Sequence, residues 1–138
     1  MNYVTLFLLL VAPQIASACS CLRQDGTLEE RFGYYYQNSD NVFLALITSS
    51  KIEGTPKEFS AINSHFHVLE TYRGNPKQWT NLTTEGSTGT SCTSRLITGE
   101  KYLFFIDRNR VGHCSWVFSV YSADEEKQYK DILASLTE

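Results

Sequence analysis

The fold of this chain turns on the stretch Asn41-Val42-Phe43-Leu44-Ala45-Leu46-Ile47-Thr48. It holds no glycine, proline or charge, and β-branched and aromatic side chains dominate it, a composition that fits a pleated strand. Both alternating sets of side chains are largely apolar, so the strand is expected to bury both faces and to sit in the middle of a sheet. Tyr102-Leu103-Phe104-Phe105-Ile106 repeats that character far downstream. In a chain of only 138 residues, such strands predict a sheet closed on itself, with helices over part of its outside.

The flanking segments supply the remaining elements. Upstream, Thr27 and Glu30 have capping-box spacing. Leu28, Phe32, Tyr35 and Tyr36 then recur at helical intervals, which predicts a helix to about Gln37 and a break at Asn38-Ser39-Asp40. Downstream, Lys51 to Glu58 reads as a polar loop and Ser60 to Tyr72 as a long strand. Arg73-Gly74-Asn75-Pro76 turns the chain. Trp79 to Thr84 is a Thr-rich strand, and the small-residue loop after it delivers Cys92. Lys101 to Asp107 holds the second two-faced run, Arg108 to Gly112 is a loop, and His113 to Ser122 returns as a hairpin partner. Ser122 and Glu125 form another capping box, and Tyr129, Ile132, Leu133 and Leu136 stripe a final helix. The expectation is a mainly β chain: five strands in a closed barrel, flanked by an N-terminal and a C-terminal helix.

Before all of this, Met1 to Ala18 carries no charged side chain and includes the apolar run Val4 to Val11. That run is far shorter than the roughly 20 residues a bilayer span needs. Ala16 and Ala18 follow in the A-x-A pattern of a secretory cleavage site. Residues 1–18 are therefore read as a signal peptide and residues 19–138 as a single domain, large enough for its own core. The product is expected to be secreted, with no membrane span. All four cysteines, Cys19, Cys21, Cys92 and Cys114, fall after the cleavage site, as expected for disulfides in an oxidising compartment. Four cysteines allow three pairings. Cys19 with Cys21 is the least comfortable, because alternate residues of an extended segment lie about 6 to 7 Å apart. The other two both tie the amino terminus to the distal chain. A formal net charge of −3 offers no electrostatic footprint for nucleic acid.

Cys19-Ser20-Cys21 at the start of the mature chain, Phe43-Leu44-Ala45-Leu46, Phe66-His67-Val68 with Tyr72-Arg73-Gly74, Cys92 after a small-residue loop, Gly99-Glu100-Lys101-Tyr102-Leu103 and Cys114 occur in that order. Together they resemble the tissue inhibitors of metalloproteinases and the wider netrin-like modules, over essentially the whole mature chain. The resemblance implies an OB-like five-stranded closed barrel and the disulfides Cys19–Cys92 and Cys21–Cys114. It also implies that the amine and carbonyl of Cys19 bind the catalytic zinc of a secreted or cell-surface zinc metalloproteinase, with Ser20 directed at the main specificity pocket. Leu22 would extend that inhibitory ridge, and Thr90 and Ser91 would lie beside it. The zinc is the partner's, shared in the complex; the inhibitor needs no cofactor of its own and is expected to be a monomer. Arg23 stands where the animal inhibitors often carry proline, and the further cysteines of the larger inhibitors are missing from this sequence.

The same residues admit plainer readings. Cys19 and Cys21 could be structural staples of a netrin-like extracellular binding module without inhibitory activity. Cys19 could instead carry a lipid anchor, although Ala16 stands where a lipobox usually has leucine. His65 and His67 share one face of a strand and could make half of a metal site with His113, but histidines on a polar phase are more often surface residues. Tyr34-Tyr35-Tyr36 cannot share one helical face and reads as a mix of core and partly exposed rings. Asn81-Leu82-Thr83 is a glycosylation acceptor pattern at Asn81. No nucleophile motif or phosphate loop points to an enzyme.

Overall fold

The computed structural model describes residues 24–54, 61–85, 95–112 and 114–137. The signal segment 1–18, the ridge Cys19 to Leu22, and Thr90, Ser91, Cys92 and His113 lie outside the described residues. Helix α1 (Leu28–Gln37) starts on the expected capping box: Glu30 N donates to Thr27 Oγ1 (3.2 Å) and Thr27 N to Glu30 Oε2 (2.8 Å). Strands β1 (Asn41–Glu53), β2 (Ala61–Arg73) and β3 (Leu82–Glu85) follow, with a 3-10 turn at Pro76–Gln78 before β3. Then come β4 (Lys101–Ile106), β5 (Arg110–Val111), β6 (Trp116–Val120) and helix α2 (Ala123–Thr137). Ser122 Oγ accepts from Glu125 N (3.1 Å), while the Glu125 carboxylate reaches back to Tyr121 N (2.8 Å).

The chain is mainly β. Among the described residues the strands form one six-stranded sheet in the order β5-β3-β2-β1-β4-β6. β1 lies in the middle, antiparallel to both β2 and β4, as its two-faced sequence requires. Its alternate residues enter two separate cores. Val42 and Leu44 join Leu103, Phe105 and Val120 beneath the helices, where Phe32, Tyr35, Ile132 and Leu133 close the layer. Phe43, Ala45 and Ile47 join Tyr102, Phe104, Leu82 and Val111 on the concave side. Three register shifts interrupt the β1–β2 ladder, at Val42/Phe43, Leu44/Ala45 and Ile47/Ser49. Such irregularities bend a strand and increase its twist, and they curl this sheet around its inner core.

The curl stops short of the closed five-stranded barrel that the sequence predicts. Within the expected loop Arg108 to Gly112 a short strand, Arg110–Val111, pairs parallel with β3, and the expected last strand, His113 to Ser122, is shortened to Trp116–Val120, which pairs antiparallel with β4 as the expected hairpin. Between them Gly112 N donates to Ser115 Oγ (2.9 Å) and Ser115 N to the Gly112 carbonyl (3.1 Å). This turn takes the chain from one edge of the sheet to the other without a ladder between β5 and β6. β3 also covers only Ala61 to Ser64 of the much longer β2. The result is a six-stranded half-barrel with two helices on its convex face.

Two segment boundaries shift as well. β1 continues through the expected loop to Glu53, because the hairpin supplies polar partners: the Ser50 and Ser64 hydroxyls are 2.9 Å apart and Asn63 Nδ2 donates to Glu53. The strand expected from Trp79 begins only at Leu82, and Trp79 instead packs edge-on to Phe43. Gly74 holds φ at +78°, and a Cβ there would strike the Asn41 side chain and the Asp40 carbonyl.

Phe32 is fully buried, with ring centroids 5.2 Å from Phe105, 5.0 Å from Phe118 and 5.2 Å from Tyr129. Phe32→Ala should therefore cost about 3–5 kcal/mol in urea unfolding, whereas Tyr34→Ala, at a ring 43 % exposed, should change the midpoint little. Gly74→Ala should destabilise by more than an ordinary helix or strand substitution, since it combines left-handed strain with a collision against backbone.

Candidate functional site

A concavity lies at the seam where β5 and β6 part. Asn38 caps α1, its backbone N donating to the Tyr34 and Tyr35 carbonyls and its Nδ2 to the Tyr34 carbonyl (2.8 Å). The chain then reverses so that Asp40 N donates to Asp107 Oδ1 (2.9 Å), and Asn41 Nδ2 to the Asp107 carbonyl (3.5 Å). This joins the end of α1 to the end of β4. Between that corner and the 112–115 turn lies an open cleft of about 550 Å³, lined among others by Ser39, Phe105, Asp107, Arg108, Cys114 and Trp116. Trp116 is half-buried and stacked on Tyr35 at 4.4 Å and 25°, which fixes the indole. Tyr34 meets the same indole edge-on at 5.7 Å.

Cys114 is exposed at the rim of this cleft and is disulfide-bonded, with its partner outside the described residues. It is the one predicted ridge or disulfide residue that the described part of the chain contains. Cys19, Ser20, Cys21, Leu22, Thr90, Ser91 and Cys92 lie outside it, so their arrangement around Cys114 is a matter for proposal. Asn81 is half-buried just before β3; its carbonyl accepts from Asn109 Nδ2 (3.4 Å), and Thr83 Oγ1 donates to Asn63 Oδ1 (2.8 Å). His65 and His67 are exposed on β2, and His65 Nδ1 donates to the Thr80 carbonyl (3.1 Å). Among the described residues no three His, Cys, Asp or Glu are grouped to hold a metal ion. No described helix is long and apolar enough to cross a membrane.

A second depression, of about 380 Å³, lies at the other end of β4, between Glu100, Lys101, Tyr121 and Glu126. Its charges are organised by α2. Glu126 pairs with Lys101 (2.6 Å) and Lys130 (3.0 Å), and Lys130 reaches on to Glu70 of β2 (3.2 Å). The hydrogen bond from Lys101, followed by that from Lys130, holds the Glu126 carboxyl below its ordinary range. Beside it Tyr102 is buried; its hydroxyl accepts from Ile97 N (3.0 Å) and donates to Glu100 Oε2 (2.9 Å). Burial foremost, opposed by the Ile97 N–H and reinforced by Glu100, pushes this phenol up to about 12. Burial and then Glu70 likewise raise Tyr72. Both phenols are therefore protonated hydrogen-bond donors at neutral pH.

The cleft residues Ser39, Asp107, Arg108 and Trp116 had no functional signal in the sequence, where they fall in a chain break, a strand end, a loop and a strand. They come from three separate segments, and only the folding of α1 against β4 and β6 assembles them. Compared with protein-family models the chain matches none, and no curated protein is significantly similar to it.

The electrostatics have a definite pH signature. Because folding lowers the Glu126 pKa, its contribution is present above the unfolded carboxyl value and is lost as pH falls through the lower folded value. Glu126→Gln should therefore flatten the acid limb of the stability–pH curve measured by urea unfolding. Tyr102 acts oppositely: its contribution holds below about 10 and fades as pH rises toward 12. Tyr102→Phe should cost about 1–3 kcal/mol at neutral pH, because it leaves the Ile97 N–H without its acceptor.

Proposed function

We propose that this chain is a secreted, single-domain inhibitor of zinc metalloproteinases, similar to the tissue inhibitors and acting through Cys19 as its first mature residue. The observation that carries the reading is Cys19-Ser20-Cys21 directly behind a cleavage pattern, with a distant cysteine at a sheet seam able to anchor it. The strand order supports it. β1 lies between β2 and β4, and β3 pairs parallel with a short β5, an arrangement compatible with an OB-like sheet. Cys114 stands in the 112–115 turn, just before β6, so a Cys21–Cys114 bond would fasten the amino terminus to the rigid end of β6, and Cys19–Cys92 would fix it from the other side.

The chemistry is simple. The amine and carbonyl oxygen of one residue close a five-membered chelate ring on the open position of a catalytic zinc. The amine must be neutral to donate; with an ordinary value of about 7.7 to 8.0, this requires little free energy near neutral pH. Two disulfides order the ridge before binding and reduce the entropy lost on association. Ser20 then presents a small side chain to the specificity pocket of the protease, with Leu22, Thr90 and Ser91 beside it.

The decisive comparison uses protein with an authentic Cys19 start against the same protein carrying one alanine before Cys19. The first should inhibit members of a panel of zinc endopeptidases; the second, whose amine has become an amide, should not. Inhibition should also strengthen as pH rises toward about 8, as the amine loses its proton. Equal activity of the two forms sinks the chelation mechanism. Inactivity of both leaves the netrin-like binding module as the better description. Ser20→Arg should redistribute inhibition among the proteases without changing the fold, as read by urea unfolding.

A further inference from the structure

The outer edge of β1 is a feature that zinc chelation does not use. On the side facing β4 the ladder ends at Leu46 with Lys101. The last bonds there run from Ile47 N to the Glu100 carbonyl (3.0 Å) and from Gly99 N to the Ile47 carbonyl (2.8 Å). The strand nevertheless continues to Glu53, paired among the described residues only with β2. Every residue from Thr48 to Gly54 is exposed. We propose that this edge pairs antiparallel with the same edge of a second copy of the chain, forming a two-fold dimer.

The sheet points to such a neighbour. Residues paired across a sheet share a face, so one row reads Ile52, Ile62, Thr84 and Val111 across β1, β2, β3 and β5. Val111 is fully buried in the inner core and Thr84 is 1 % exposed. Ile62 is half-buried, and Ile52 at the free end is 60 % exposed. The row thus leaves the inner core and stops at an uncovered isoleucine. A single exposed isoleucine is ordinary. One that ends such a row on an unpaired strand edge is a template for a further strand.

Charge selects the register. A two-fold axis perpendicular to the sheet keeps matching faces together, so one residue must face its own copy. Centring on Lys51 sets two ammoniums opposite each other, and centring on Glu53 sets two carboxylates opposite; both are unfavourable. Centring on Ser50 or Ser49 brings Glu53 against Ile47 or Ala45, which are fully buried. Centring on Ile52 sets Ile52 on its own copy and each Lys51 opposite the second copy's Glu53. Glu53 accepts from Asn63 Nδ2, and a carboxylate has sites for further donors. This register joins two apolar rows end to end on one face and forms two ion pairs on the other. So short a ladder belongs to the small interfaces, below about 1,200 Å², and the dimer is therefore weak and concentration-dependent. It takes the place of the expected monomer.

The test is sedimentation velocity of the mature protein over a roughly hundred-fold range of concentration. The average coefficient should rise toward that of a dimer, and rise less in high salt, which screens exposed ion pairs. Ile52→Lys should weaken association by about 10-fold while leaving the urea midpoint in place, because the side chain is exposed. Lys51→Glu and Glu53→Lys should each weaken it similarly, since each sets like charges opposite one another. Mixed in equal amounts, these two variants should recover the dimer, because every facing pair is again of opposite sign. The double variant Lys51→Glu/Glu53→Lys restores the signs within one chain and should recover it as well. The form with an alanine before Cys19 should dimerise unchanged, which separates this result from the outcome for inhibition. A monomer at every concentration overturns the proposal. So does a dimer that Ile52→Lys leaves intact, or a failure of both the mixture and the double variant to restore association.

Discussion

Val42, Phe43, Leu44 and Ala45 are consecutive and each is at most 2 % exposed. Consecutive strand residues point to opposite sides, so this segment demands apolar cover above and below at once. The same is true of Leu103, Phe104 and Phe105 on the neighbouring strand. A flat sheet with helices on one side would leave Phe43, Ile47 and Phe104 in water. Helices α1 and α2 cover one face, and the curl of the sheet upon itself covers the other. Every large feature of the molecule answers to that double requirement.

The way the sheet curls explains why it does not close. Irregularities along β1 and β2 bend the long hairpin over the inner core, and Leu82 and Val111 complete the apolar lining from short strands. Those strands are sufficient to bury the core but too short to pair along the whole of β2. The last two strands serve opposite edges, and the chain crosses between them in the turn at 112–115. That crossing opens the cleft beside Trp116. It also puts Cys114 at the rim, just before β6.

Under the proposed function, the two ends of the problem divide cleanly. The reactive group is a backbone amine and carbonyl, so nothing in the core needs to do chemistry, and the raised Tyr72 and Tyr102 phenols serve as donors that hold strands and loops in place. What the domain contributes is stiffness at the right point. Aromatic packing of Phe32 with Phe105, Phe118 and Tyr129 locks α1 and α2 to the sheet, and the Glu126 network ties α2 to β4 and β2.

Local chemistry was legible from the sequence alone. The Thr27–Glu30 and Ser122–Glu125 caps, the two-faced strands at Asn41 and Lys101, and the divided fates of Tyr34, Tyr35 and Tyr36 each follow from neighbours within a few residues. The polar extension of β1 to Glu53, the short parallel strand Arg110–Val111 and the cleft were not. Polar strand ends persist only because a partner strand supplies hydrogen bonds, and the 112–115 turn exists because β3 and β4 claim opposite sides of one segment. Ser39, Asp107 and Trp116 come together only when α1 docks on the sheet. Capping, periodicity and cleavage patterns are short-range and therefore written in order along the chain; pairing partners and clefts depend on which distant segments compete for the same backbone and the same core, and only the tertiary structure settles that competition.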